Sequence, residues 1–258
     1  MKLKRNNISV QKLIDIIKKL RSPNGCDWDQ RQTHTSLIPY LLEETYEVIE
    51  AIENNNYNDL KEELGDLLLH VLFQAELSSE NNKFNIEDCI NMICEKLVRR
   101  HPYIFSNNDS DNQYTQASWE LSKKKEKNRE SILDGVPNSL PKLLKANRIQ
   151  EKASSVGFDW NDAKKVIEKV DEEIDELKES IFKNSNIDEE LGDVLFSIVN
   201  LSRHLKINPE ESLNKAINKF STRFKKIEKD LKNKDINMQD LNLSELDDIW
   251  NYNKKNEK

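Results

Sequence analysis

The chain has 258 residues, a net charge of −7, 36% apolar and 34% charged residues, and only 5 glycines and 6 prolines. Average usage would give roughly 18 glycines and 13 prolines, and because turns draw on these two residues, their scarcity predicts long helices. The same scarcity excludes phosphate-binding loops built from clustered glycines, and the acidic charge argues against a broad nucleic-acid-binding surface.

Apolar residues recur at helical spacing along most of the chain, and no stretch alternates with the period of two expected of a strand. The sequence therefore predicts an all-α protein. Ser36 followed by Pro39, Asn58 or Asp59, and Asn85 are predicted to begin three of the helices. The predicted helices in chain order are 8–20, 37–52, about 59–77, 86–100, 141–152, 162–182, 187–205 and 209–231.

The cysteines and the N-terminal segment indicate the cellular compartment of the protein. Cys26, Cys89 and Cys94 are odd in number and form no CxxC motif, which favours reduced thiols in a cytoplasmic protein. The N-terminal segment shows no apolar region of a signal peptide, and no apolar stretch approaches the ~20 residues that span a membrane. We expect a cytoplasmic protein without a membrane or nucleic-acid partner.

The chain contains an internal repeat of five landmarks in the same order, offset by 123 to 132 residues. The matched landmarks are Gly25-Cys26-Asp27-Trp28 with Gly157-Phe158-Asp159-Trp160, Glu43 to Glu47 with Glu172 to Glu176, Glu63 to Asp66 with Glu190 to Asp193, Lys96 and Arg100 with Lys219 and Arg223, and Trp119 and Lys123 with Trp250 and Lys254. The repeat predicts two copies of one helical module, spanning 1–130 and 136–258.

Each copy carries two pairs of acids at a spacing of three, which places each pair on one face of a helix. An antiparallel helix pair would bring the four carboxylates together. The predicted sets are Glu44, Glu47, Glu63 and Asp66 in the first copy and Glu173, Glu176, Glu190 and Asp193 in the second. Such acids also fit a solvated helix face, but the flanking leucines and the repetition favour a metal site for Mg²⁺, with Mn²⁺ as the alternative.

Other repeated residues leave alternatives open. Gly65 and Gly192 fit a packing glycine or a close approach of backbone to a ligand. Trp250 fits stacking on a base or packing on the core. No histidine follows the glutamates at the Glu-x-x-His spacing of di-iron helical bundles, and His70 is interpreted as a packed or surface residue, so iron and zinc are disfavoured.

The EExxE motif, the following ExxD, the upstream GxDW and the downstream KxxxR resemble the MazG family of nucleoside triphosphate pyrophosphohydrolases, over nearly the whole chain. The resemblance implies an all-α helix-bundle homodimer that uses Mg²⁺. It implies hydrolysis of ATP and other nucleoside or deoxynucleoside triphosphates to the monophosphate and pyrophosphate.

The resemblance also implies residue roles. Glu173, Glu176, Glu190 and Asp193 would hold the metal ion, and Glu172 or Glu173 would orient or deprotonate the attacking water. Lys219 and Arg223 would neutralise phosphate charge. The other implied substrate contacts are Asn200, Trp250, Lys254 and Lys123.

Asn200 distinguishes the two copies, because Phe73 stands at the equivalent place in the first. The family has a polar asparagine there in a competent site, so the second copy is predicted to be the main catalytic centre. The alternatives are a catalytically weak nucleotide-binding or regulatory dimerisation module, and an enzyme specific for dUTP, dCTP or a damaged nucleotide.

Overall fold

The structure is a computed structural model, and it describes residues 10–105, 120, 123 and 126–255. The chain divides into two compact units, Met1–Gln113 and Tyr114–Lys258. Regular structure in the described residues is helical throughout, so the predicted all-α class is confirmed. Glu120 contacts Arg148 and Lys152 of the second unit. The module extents 1–130 and 136–258 stay a prediction.

In the first unit, a hairpin of two long helices carries the acidic motifs. The three-residue connection Asn54-Asn55-Asn56 joins α3 (Ile38–Glu53) to α4 (Tyr57–Glu80), and this tight turn makes the two helices antiparallel neighbours. Ile17, Leu37, Leu72, Phe73 and Leu77 form the buried core beside the hairpin. The helices are α1 (Val10–Arg21), α2 (Asp27–Arg31), α3 (Ile38–Glu53), α4 (Tyr57–Glu80), α5 (Ile86–Arg100) and α6 (Pro102–Phe105).

Two of the three predicted helix starts are wrong in detail. Helix α3 begins after Leu37 without a side-chain cap, while Ser36 bonds within the preceding turn to Thr33. Helix α4 is capped by Asn56, whose side chain accepts the amides of the two residues that were the predicted caps, Asn58 and Asp59. Asn85 caps α5 as predicted, in a capping box with Asp88.

The second unit repeats the hairpin. Helices α8 (Ala163–Lys183) and α9 (Ile187–His204) pack against each other. Helices α7 (Lys142–Ser154) and α10 (Pro209–Asn233) pack on α9. Asp162 caps α8, and Asn184 ends it in the left-handed conformation at φ 51°. Four described elements were not predicted from the sequence, namely α2, α6, the 3₁₀ turn (Met238–Asp240) and α11 (Leu243–Lys255). The elements are α7 (Lys142–Ser154), α8 (Ala163–Lys183), α9 (Ile187–His204), α10 (Pro209–Asn233), a 3₁₀ turn (Met238–Asp240) and α11 (Leu243–Lys255).

The matched glycines Gly25 and Gly157 are required for different structural reasons. A Cβ at Gly25 would lie 2.1 Å from the carbonyl oxygen of Leu20, so only glycine fits this close approach. Gly157 instead adopts φ +88°, which side chains rarely adopt. Across the described part of the chain, none of the helices has the length and apolar character needed to cross a membrane.

Candidate active site

Each hairpin brings three carboxylates together. One oxygen from each of Glu173, Glu190 and Asp193 lies within 4.8 Å of the others, with two residues on α9 facing one on α8. In the first unit the corresponding cluster is Glu44, Glu63 and Asp66. Glu47 and Glu176, the fourth predicted member of each set, do not join these three-residue clusters.

The fourth acid nevertheless lies close enough to act electrostatically. Burial and then the negative charges of Asp66, Glu47 and Glu63 raise the pKa of Glu44. Loss of hydration and then the charge of Glu173 raise the pKa of Glu176. A raised carboxyl pKa means that the ionised form is disfavoured, so a cation bound among these oxygens would relieve the repulsion. The clusters therefore fit a divalent metal ion that takes hard oxygen ligands.

Lys169 accompanies the second cluster and was not predicted. Its ammonium lies 2.7 Å from Glu173 and 2.9 Å from Glu172, on the same helix. These bonds, the one to Glu173 first, raise the pKa of Lys169. Tyr40 stands four residues before Glu44, so the first cluster has no lysine at the equivalent position. The spacing of four from Glu173 was the sequence signal that could have identified it.

A cavity of about 380 Å³ adjoins the second cluster, within the size range of small-molecule sites. Glu173 and Asp193 line it together with Lys169 and Asn200, and most of the remaining lining is apolar. Phe73, the counterpart of Asn200 in the first unit, is only 4% exposed and belongs to the hydrophobic core. The two copies therefore differ at this position as follows. Asn200 is a polar residue of the cavity in the second copy, whereas Phe73 is a residue of the hydrophobic core in the first.

Asp159 of the GFDW motif is the centre of a second group at this cavity. Arg203 on α9 donates to both of its oxygens at 2.8 and 2.5 Å, Ser154 donates at 2.7 Å, and His204 Nε2 lies 3.0 Å away. Burial alone would raise the pKa of Asp159, but the hydrogen bonds, that of Arg203 first, hold it well below its usual value. These bonds fix the loop between α7 and α8 against α9.

Four residues that were predicted to contact the phosphates or the base do not line this cavity. Lys219, Arg223, Trp250 and Lys254 are on α10 and α11, outside the described lining of the cavity. Trp250 packs on Phe220 at 5.1 Å, and the Arg223 guanidinium lies 5.6 Å from its ring centre. Trp250 therefore contributes to packing in this chain, one of the two uses left open for it.

Lys123 is part of an ion cluster rather than a cavity. Its ammonium lies 3.0 Å from Glu120, which also binds Arg148 and Lys152. Trp119, which the repeat pairs with Trp250, lies outside the described residues.

Gly65 and Gly192 have no packing partner in the described residues, since a Cβ at either would meet nothing within 4 Å. Packing between helices of one described unit therefore does not explain them. They lie next to the acids Asp66 and Asp193 on α4 and α9, so the space over each remains open to a ligand or another chain.

Comparison with known sequences finds a match to the MazG nucleotide pyrophosphohydrolase domain at residues 32–105 and 161–227. The chain is 46% identical over 250 residues to the nucleoside triphosphate pyrophosphohydrolase/pyrophosphatase MazG of Thermotoga maritima, covering 96% of both chains. It is 40% identical over 257 residues to the nucleoside triphosphate pyrophosphohydrolase of Escherichia coli strain K12, covering 96% of this chain and 98% of that one.

Proposed function

The chain belongs to the MazG nucleotide pyrophosphohydrolase family, and we propose that it hydrolyses nucleoside triphosphates to the monophosphate and pyrophosphate. Water attacks the α-phosphorus, a new P–O bond forms there, and the bond from the α-phosphorus to the bridging oxygen breaks. The observation that carries the proposal is the convergence of Glu173, Glu190 and Asp193 beside a cavity.

Mg²⁺ is the proposed cofactor, with Mn²⁺ as the alternative, because three carboxylate oxygens within 4.8 Å form a hard donor set. When bound, the ion supplies charge neutralisation and polarisation of phosphate oxygens. Glu173, Glu190 and Asp193 would hold it, with Glu176 as a nearby fourth acid. Glu172 or Glu173 orients the water and takes its proton.

Lys169 places a positively charged side chain beside the carboxylate cluster. Its ammonium binds Glu172 and Glu173. Because it also lines the cavity, it is placed to neutralise phosphate charge beside the residues that would hold a metal ion. This role and the polar Asn200 support the second copy as the main catalytic centre, with the first, Glu44, Glu47, Glu63 and Asp66, as a weaker or regulatory site.

The protein is proposed to act as a homodimer. Leu191, Leu195 and Ile198 form an exposed apolar stripe on α9, and the repeat places Leu64, Leu68 and Val71 in the same stripe on α4. Apolar stripes of this spacing are typical of helix–helix interfaces. The predicted contacts Lys219, Arg223, Trp250 and Lys254 do not line the described cavity, and in such a dimer they are proposed to contact a triphosphate bound by the other subunit. The free thiols of Cys26, Cys89 and Cys94 support a cytoplasmic location.

Sedimentation equilibrium tests the dimer. The wild-type chain is expected at twice the mass of one chain, and Leu195→Glu at the mass of one chain, because a charge would be buried in the interface. Phe182→Glu, on an exposed ring outside the stripe, is the control and is expected to remain a dimer. A wild-type mass of one chain would exclude this assembly.

Product analysis tests the reaction. With Mg²⁺ and a panel of canonical and modified nucleoside and deoxynucleoside triphosphates, we expect pyrophosphate and the monophosphate as first products. Separate detection of orthophosphate is the control, since orthophosphate as the first product would exclude attack at the α-phosphorus. Release of neither product from any nucleotide would favour a regulatory nucleotide-binding module instead.

A further inference from the structure

The cavity of the second unit is lined by two chemically different groups of side chains. Glu173, Asp193 and Lys169 supply charge, while Phe158, Trp160 and Phe196 supply aromatic rings. Phe158 is 81% exposed, so its ring is accessible to a ligand. A ligand with a polyanionic part and a flat, largely apolar part matches both groups.

Gln150 on α7 contributes an unpaired polar atom to the same cavity. The residue is only 7% exposed, and its Nε2 donates to the carbonyl oxygen of Phe196 at 2.9 Å. Its Oε1 is buried and accepts no hydrogen bond from the described residues. Rotation of the amide would place Oε1 against the Phe196 carbonyl oxygen, so the existing bond fixes Oε1 as the free acceptor. A buried acceptor without a donor is costly, which indicates a ligand group that satisfies it.

We propose, on the basis of the proposed function, that Gln150 Oε1 accepts an N–H of the nucleobase when a nucleotide occupies this cavity. The exocyclic amino groups of adenine and cytosine and the ring N–H of guanine, uracil and thymine all provide such a donor on the hydrogen-bonding edge. Gln150 is therefore a specificity residue that selects for the donor rather than for purine or pyrimidine.

The GFDW motif contributes two of the rings that line this cavity. Asp159 is held by Arg203, Ser154 and His204, and its two neighbours in sequence, Phe158 and Trp160, both line the cavity. Anchoring Asp159 thereby fixes the backbone from which the two flanking aromatic side chains extend. Aromatic rings stack on bases without distinguishing among them, which complements the donor selection by Gln150.

Comparison of ATP with purine riboside triphosphate tests the acceptor, because that analogue lacks the amino group of adenine and has no N–H on the same edge. For the wild-type protein we expect the KM of the analogue to be about 10-fold or more higher, since it leaves Gln150 Oε1 unpaired. Gln150→Met removes the acceptor at similar volume. It is expected to bring the two KM values within about 2-fold of each other, mainly by raising that of ATP, with kcat changed less than KM.

Phe158→Ala tests the stacking surface with little risk to folding, because the ring is exposed. It is expected to raise the KM of both nucleotides about 5-fold or more. Phe182→Ala is the matched control, since this exposed ring does not line the cavity, and it is expected to leave both KM values unchanged.

Calorimetric binding of AMP and of purine riboside monophosphate separates this inference from the proposed function, because it needs no turnover. Tighter binding of AMP, lost in Gln150→Met, would support the role of Gln150 even if no pyrophosphate were released. If a wild-type protein that releases pyrophosphate binds AMP and purine riboside monophosphate with equal affinity, the role of Gln150 is overturned. The proposed function then still stands.

Discussion

Glu190→Gln is expected to lower the rate of pyrophosphate release by about 100-fold or more. Glu190 is one of three acids whose oxygens lie within 4.8 Å of one another. Glutamine keeps the shape but loses the charge that would hold a divalent cation, and metal-based charge stabilisation is worth several kcal/mol in such reactions. The measurement is the initial rate with ATP over a range of Mg²⁺ concentrations. The variant is expected to need more Mg²⁺ as well as to turn over more slowly.

Glu63→Gln is the matched control, because Glu63 is the equivalent member of the first cluster. If the second copy is the main catalytic centre, this variant retains activity within about 2-fold. Both variants are expected to fold, since removing one of several neighbouring negative charges relieves repulsion. Loss of activity in Glu63→Gln alone would reverse the assignment of the two copies.

The two clusters follow from sequence only as far as helix periodicity reaches. Spacing of three places Glu173 with Glu176 on one face, and Glu190 with Asp193 on the next helix. It does not determine the axial register of α8 against α9 or the side-chain rotamers, which packing decides. For this reason Glu176 was predicted as an equal ligand, whereas the structure brings together only the other three oxygens.

Contacts between residues far apart in the chain could not be predicted from the sequence. Asp159 and Arg203 are 44 residues apart, and no periodicity connects a loop residue with a helix that begins 28 residues later. The GxDW pattern stands out in the sequence because both copies contain it, but the role of Asp159 depends on its contact with Arg203. Helix starts failed for a related reason. Asn56 caps α4 because the chain changes direction there. Asn58 has the same capping side chain but stands two residues further along, inside the helix.

A second long-range group, the ion cluster around Glu120, is important for stability. The Glu120 side chain is 1% exposed, and its oxygens bind Arg148, Lys152 at 2.9 Å and Lys123 at 3.0 Å. Lys152 is buried as well and also donates to the carbonyl oxygen of Ile132 at 3.0 Å. Burial alone would raise the pKa of Glu120, but the hydrogen bonds from Lys152, Lys123 and Arg148 lower it to about 2.

Glu120→Gln is therefore expected to lower the free energy of unfolding at pH 7 by roughly 3–5 kcal/mol, because it leaves a buried lysine without its counter-charge. Urea unfolding followed by tryptophan fluorescence measures the loss. Glu179→Gln removes a partner of Lys183 from a pair whose side chains are both about two-thirds exposed. Because exposed pairs contribute little, this control is expected to change stability by no more than about 0.5 kcal/mol.

The pH dependence provides a check that simple loss of packing would not reproduce. Since folding depresses the pKa of Glu120 from 4.5 to about 2, its ionisation stabilises the fold fully above the unfolded value. That stabilisation is lost as the pH falls toward the folded value. The difference in stability between the wild type and Glu120→Gln should therefore be largest above about pH 5 and shrink steadily between pH 4.5 and pH 2. A difference that stays constant over this range would mean that the carboxylate charge does not stabilise the second unit.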